Sequence, residues 1–331
     1  MKRKFCKYRE KSGALFAFIL IIRYVLRDLI NYLLTLIIKK IIGKESRFKN
    51  KEILFIEPFQ QGFGDLIFQT PLFEALHTRG YKVNLLIKEE HYPIIENNPF
   101  IYKVFFRQSI KSLLKILFSK FETIFVLSRD TIPETLLALL KFRSQIILMD
   151  SDLNFWNQIF NENHTLAWQK ILKRYFDSNL TFKEPEVYRE KKESSDLKNK
   201  IGIIAGIDKK EKTFKNMANL IQELMNKEMF NIDLFGKNKD WKKIGEVSDY
   251  VNKITYKETI ERMLDCNLII GPESSLIHVS TTLKIPTLII ENEERPFDKY
   301  SVLGDKEYIY KIDENKSVRE IANYSQLIIS K

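Results

Sequence analysis

Cysteine is nearly absent from this sequence, and so are the patterns that mark a zinc protein, a nucleic-acid reader or a membrane-spanning chain. The two cysteines, Cys6 and Cys266, lie far apart, one in a basic tail and one in an apolar stretch. That argues against a disulfide framework or a metal cluster, and a reducing compartment is the simpler expectation. No zinc-ligand spacing, RNP-like aromatic motif or recognisable helix-turn-helix accompanies the net charge of +11, so nucleic acid is not the partner that the charge implies. No apolar run reaches the about 20 residues that a transmembrane helix requires. The longest candidate, Ala14 to Ile22, is followed by no small-x-small site, which argues against a cleaved signal peptide.

The chain has 331 residues, 44% of them hydrophobic and 29% charged. That is the composition of a folded protein, and the length suits two domains of ordinary size. The positive charge is partly concentrated at the start, where Lys2, Arg3, Lys4, Lys7, Arg9 and Lys11 face only Glu10. Apolar character then continues to Ile42, interrupted at every fourth position by Arg23, Arg27, Asn31, Thr35 and Lys39. On a helix these five form one drifting polar stripe. A helix held in the plane of an anionic membrane surface fits this pattern. A helix packed on the protein's own domains and a signal anchor are the alternatives.

From Lys51 onward the pattern alternates as α/β proteins do. Strand-like runs occur at Ile53–Ile56, Val83–Ile87, Val104–Phe106, Thr123–Leu127 and Gln145–Met149, with crossover helices at Leu66–Arg79 and Ile110–Phe118. An aromatic-rich stretch, Asp152 to Lys183, breaks the rhythm, and its Ile159, Trp168, Ile171, Leu172 and Phe176 read as packing residues. Strands resume at Ile201–Ala205, Ile232–Phe235, Leu268–Ile270 and Thr287–Ile290, with helices expected at Phe214–Lys227, Trp241–Tyr250 and Ser275–Leu283. A last helix, about Ser317 to Ile329, is expected to pack back across the first domain. The predicted organisation is a basic tail and amphipathic helix (1–47), a first Rossmann-like domain (48–188), a charged linker (189–200) and a second Rossmann-like domain (201–331).

Two stretches carry chemistry. Gln60 to Pro71 follows the strand at Ile53–Ile56, and its Gln61, Gly62, Gly64 and Asp65 fall where a strand hands over to a helix, the ligand crevice of an α/β sheet. Glycine there permits close backbone approach, and Asp65 reads either as a helix N-cap or as an acid facing the crevice. Ile269 to Ile290 repeats the order of strand, turn, helix and strand, with Glu273, Ser274, Ser275 and His278 at the turn and helix start. Hydroxyls and an imidazole at a helix N-terminus suit a diphosphate; a buried, hydrogen-bonded core histidine is the other reading of His278.

Together the two stretches resemble glycosyltransferase family 9, typified by the bacterial lipopolysaccharide heptosyltransferases. Gly62, Phe63, Gly64, Asp65, Thr70 and Pro71 match its first motif, and Gly271, Glu273, Ser274, Ser275 and His278 its second. Glu273 stands where that family has aspartate, Ser275 where it has glycine, and the acidic ENEERPFDKY, 291–300, where it has Phe-Gly-Pro-Thr-Asp-Pro. The resemblance spans roughly residues 50 to 330 and implies the GT-B architecture, two Rossmann-like domains facing a cleft.

It further implies an inverting, metal-independent glycosyltransferase that moves a heptose or related sugar from a nucleoside diphosphate to a lipid-linked lipopolysaccharide core acceptor. Asp65 would be the base. Gln61, Gly62 and Gly64 would form the acceptor-side loop, while Gly206, Lys212, Glu273, Ser274, Ser275 and His278 would hold the donor phosphates. Gly236 and Asp240 would meet the nucleoside. No cofactor or metal is expected, the donor being by resemblance ADP-heptose. The DxD-like Asp150-Ser151-Asp152 falls outside the expected donor domain. The expected location is the cytoplasmic face of the inner membrane. A non-catalytic GT-B-fold binding protein is the alternative.

Overall fold

Ile53, Leu54, Phe55 and Ile56 of the first strand are all buried, which requires cover on both sheet faces and selects a parallel sheet with helical crossovers. The computed structural model describes residues 51–57, 63–126, 145–148, 164–176, 178–189, 199–206, 214–238, 241–242, 244–291 and 306–330. The first half runs β1 (Glu52–Ile56), α1 (Phe63–Ile67), α2 (Thr70–His77), β2 (Lys82–Ile87), a 3-10 turn at Glu89–His91, α3 (Tyr92–Ile95), β3 (Ile101–Phe106), α4 (Ile110–Phe118), β4 (Thr123–Val126), β5 (Gln145–Leu148) and α5 (His164–Tyr175). The second runs β6 (Lys200–Gly206), α6 (Met217–Met225), β7 (Asn231–Gly236), β8 (Ser248–Asp249), α7 (Tyr256–Met263), β9 (Leu268–Pro272), α8 (Ser275–Thr282), β10 (Thr287–Glu291), β11 (Ile309–Asp313) and α9 (Val318–Ile329).

The sheets are ordered β3-β2-β1-β4-β5 and β11-β10-β9-β6-β7-β8, and every pairing is parallel. Counted from its own first strand, each half winds outward through three strands, then returns to the other side of strand one. This is the doubly wound order, with a switch point between β1 and β4 and another between β6 and β9. Alternate β1 residues serve different faces: Leu54 and Ile56 pack with Ile116 and Phe121, while Ile53 and Phe55 join a cluster that continues into Ile204, Phe235, Ile269 and Ile277 of the second half. Phe55 stacks on Phe125, and Phe125 on Phe176. Phe176 and the buried Leu172 are therefore packing residues, as expected.

Three expectations are corrected. The single helix at Leu66–Arg79 is two, α1 and α2, because Pro71 lies at the start of α2 and cannot donate a backbone hydrogen bond to a continuing helix. Among the described residues of Trp241–Tyr250 there is no helix: Gly245 has φ +59°, and Ser248–Asp249 pairs with β7. The Trp241 indole N–H donates to the Asp249 carboxylate at 3.3 Å, a contact that suits a turn. Finally, α9 does not cross to the first half. It packs on α6 and β9, with Ile321, Ala322 and Ile328 completing the second half's own core. The amino-terminal segment 1–47 and most of the linker, 190–198, lie outside the described residues. Among the described residues no helix is long and apolar enough to cross a membrane.

Candidate functional site

The two motif-bearing stretches leave the sheets next to the switch points. Glu57 is the first residue beyond β1 and is almost completely buried. Its Oε2 accepts from the Lys88 backbone N–H at 2.9 Å, its Oε1 pairs with His91 Nδ1, and its carbonyl accepts from the Arg107 guanidinium. Lys88 follows β2 and Arg107 follows β3, so one carboxylate and one carbonyl tie three strand ends together. The chain re-enters the described residues as α1, whose second and third residues are Gly64 and Asp65. Asp65 is thus the third residue of α1 and not its N-cap.

On the other half, β9 ends at Pro272 and Ser274 N-caps α8, its hydroxyl accepting from the Ile277 N–H at 3.5 Å. From Leu276 to Thr282 every residue of α8 is buried. A polar helix tolerates this because its hydroxyls return to its own carbonyls: Ser280 to Ile277, Thr281 to His278, and Thr282 to both His278 and Val279. The His278 Nε2 meets Glu273 Oε1 at 3.2 Å.

These two places touch. Helix α1 packs on α8. A Cβ added to Gly64 would lie 3.2 Å from Ser275 Cα, 3.2 Å from His278 Cδ2 and 3.3 Å from Ser275 Oγ. Gly64 therefore serves close approach, to the opposite half and from within a helix, not from a loop. The Phe68 ring meets the His278 imidazole edge-on at 5.2 Å. His278 is 3% exposed, so it is buried and hydrogen-bonded, but between the halves and not inside one. A second contact joins α3 to α7. There Glu96 accepts from Arg189 at 2.6 Å and from Lys257 at 2.9 Å. Burial acts to raise the Glu96 carboxyl, but the hydrogen bonds and charges of Arg189 and Lys257 outweigh it and hold the group below its usual range.

Of the other predicted residues, Gly206 ends β6 beside the second switch point and Gly236 ends β7 with φ +124°, a conformation that favours glycine. Gln61, Gly62, Lys212 and Asp240 lie outside the described residues, as do Asp150 to Asp152 and 292–300. Among the described residues no group of three or more histidine, cysteine, aspartate or glutamate side chains is placed to hold a metal ion. Sequence reasoning missed Glu57, His91, Phe68 and the Glu96 clamp. Only Glu57 carried a signal, as an acid ending an apolar run.

The architecture has counterparts of known structure. A glycosyl transferase family 9 protein from Veillonella parvula superposes with a TM-score of 0.65 at 14% identity, covering 86% of this chain and 99% of that one. The chain has the GT-B fold. ADP-heptose lipopolysaccharide heptosyltransferase II of E. coli follows at 0.64 and 12%, covering 84% and 98%. The E. coli heptosyltransferase WaaC with ADP follows at 0.60 and 9%, covering 84% and 99%. No family model matches the sequence, and no curated protein matches it. In open α/β sheets ligands bind beyond the carboxyl ends of the strands, at the switch points, and here α1 and the start of α8 meet beside those ends.

Proposed function

We propose that the protein is a glycosyltransferase that moves a sugar from a nucleoside diphosphate to an acceptor hydroxyl. The observation that carries this is the juxtaposition of the Gly64–Asp65 turn of α1 with the Ser274–Ser275 start of α8. Structures sharing the fold include a heptosyltransferase with ADP and one with an ADP-heptose analogue, which supports an ADP-linked heptose or a related sugar as donor.

In this reading Asp65 accepts the proton from the attacking hydroxyl, and direct displacement inverts the anomeric centre. An aspartate in water is a weak base, so closure of the gap around substrate raises its proton affinity by desolvation. The positive end of α8 faces the charge that develops on the leaving diphosphate, with Ser275 as a hydroxyl donor and Lys212 as a point charge. His278 acts through Glu273, which it holds at the turn. Transfer proceeds without a metal, the leaving charge being met by helix, lysine and hydroxyl. The acceptor is lipid-linked, as in lipopolysaccharide core assembly. The basic segment 1–47 keeps the enzyme on the cytoplasmic membrane face that carries the acceptor.

A second reading, a non-catalytic binding protein of the same fold, is favoured by the acidic run Glu291, Glu293, Glu294 and Asp298, which starts at the last residue of the strand β10 and continues beyond it in sequence. One experiment separates them. Nucleoside diphosphate release from ADP-heptose is measured with a truncated lipopolysaccharide acceptor, for the wild type and for Asp65→Ala. Acceptor-dependent release that falls by at least about a hundredfold in the variant is expected. Tight nucleotide binding with no release in either protein would sink the transferase.

A further inference from the structure

A helix that covers one face of a sheet ordinarily turns polar residues to water. Helix α4 does not. Its inner face is set by Ile116, which is fully buried among Leu54, Ile56, Leu86 and Phe105, and by Ser112, whose hydroxyl accepts from the Phe106 N–H of β3. The row on the other side is Ile110, Leu114 and Phe118, spaced one turn apart and 75%, 48% and 86% exposed. Lys111 and Lys115, both exposed, flank this row, and Lys120 follows it. No acidic residue occurs between Glu96 and Glu122, whereas Lys103, Arg107, Lys111, Lys115 and Lys120 all fall in that interval.

We propose that the outer face of α4 docks on an anionic lipid bilayer, Ile110, Leu114 and Phe118 entering the headgroup boundary while Lys111, Lys115 and Lys120 meet lipid phosphates. Two features select a lipid surface over a protein groove. The apolar row is convex and bordered by long cationic side chains, the arrangement of an interfacial helix. Its charge is of one sign, complementary to an anionic leaflet and self-repelling toward a second copy of the same face. This contact belongs to the folded body and is separate from the basic segment 1–47. It requires nothing of the sugar-transfer reading.

The test uses the full chain with Phe118→Cys in a Cys6→Ser background, labelled with a polarity-sensitive dye. Cys266 is buried, and burial pushes its thiol up to about 12, so it escapes labelling. Vesicles of phosphatidylglycerol and phosphatidylcholine should shift the emission to the blue, a lipid-borne quencher should reduce it, and phosphatidylcholine alone should do neither. Lys111→Glu with Lys115→Glu should weaken vesicle binding by at least about tenfold, as should Leu114→Ser with Phe118→Ser. Three results would overturn the proposal. In the first, the dye at 118 stays unshifted while the protein sediments with vesicles, so that the basic segment binds alone. In the second, it shifts without vesicles in proportion to protein concentration, which makes the occupant a second copy. In the third, it is shifted without vesicles at every concentration, which makes the occupant the chain's own amino-terminal segment.

Discussion

At the end of β1 a buried carboxylate, an imidazole and a guanidinium from three different loops converge, whereas at the end of β9 a single serine hydroxyl caps the helix that follows. Both exits lie by a switch point of the same winding order. The charged exit is a tertiary construction, because Glu57, the Lys88–His91 stretch and Arg107 belong to three separate segments. The capped exit is local, since Glu273, Ser274, Ile277 and His278 lie within six residues. The first half thus fixes its motif-bearing edge with long-range bonds, and the second with helix geometry.

The largest expected effect breaks the charged exit. Glu57→Ala leaves the buried His91 ring, the Lys88 N–H and their surroundings without the carboxylate, and removal of one partner from such a pair costs about 3 kcal/mol. Chemical denaturation measures it, and a loss below about 1 kcal/mol would mean that water replaces the carboxylate and the exit is not held as described. Ser274→Ala is the matching perturbation of the capped exit. Loss of an N-cap costs about 1 kcal/mol, and the same denaturation series should rank it clearly below Glu57→Ala. Equal losses would erase the contrast between the two exits.

That contrast also explains what could be read from the chain. Strands such as Ile53–Ile56 and Leu268–Ile270 were legible because burial on both faces makes them continuously apolar. The Ser274–His278 turn was legible because its partners are neighbours in sequence. The Glu57 cluster was not, since the partners of Glu57 lie 31 to 50 residues from it and only the parallel register of β1 with β2, and of β2 with β3, brings them together. Helix α7 was overlooked although Thr255 and Glu258 form a capping box at its start. The Trp241–Tyr250 helix was a wrong reading of apolar spacing, because one glycine at positive φ outweighs Trp241, Ile244 and Val247. The inward position of His278 followed from neither motif, for it depends on Phe68 and Gly64 of the opposite half.

The smallest effect concerns how the two edges are joined. Glu96 closes the helix that follows His91, and through Lys257 it ties the charged exit of the first half to α7 of the second. Its folded proton affinity is held below the ordinary carboxylate value. The stabilisation is therefore present above that ordinary value and is lost as pH falls through the lower, folded one. On acidification from about pH 6 to about pH 3, the wild type should lose more stability than Glu96→Gln does. The Lys257 arm is half exposed, so Lys257→Ala should cost only about 0.5 kcal/mol and less in high salt. Glu258 and Glu320, held low in their own capping boxes, titrate in the same window, so the comparison must be between variants and not read from the wild-type curve alone. If Glu96→Gln and the wild type lose stability in parallel, the ionic clamp does not join the halves, and the apolar contact of α1 with α8 is what holds the motif-bearing edges face to face.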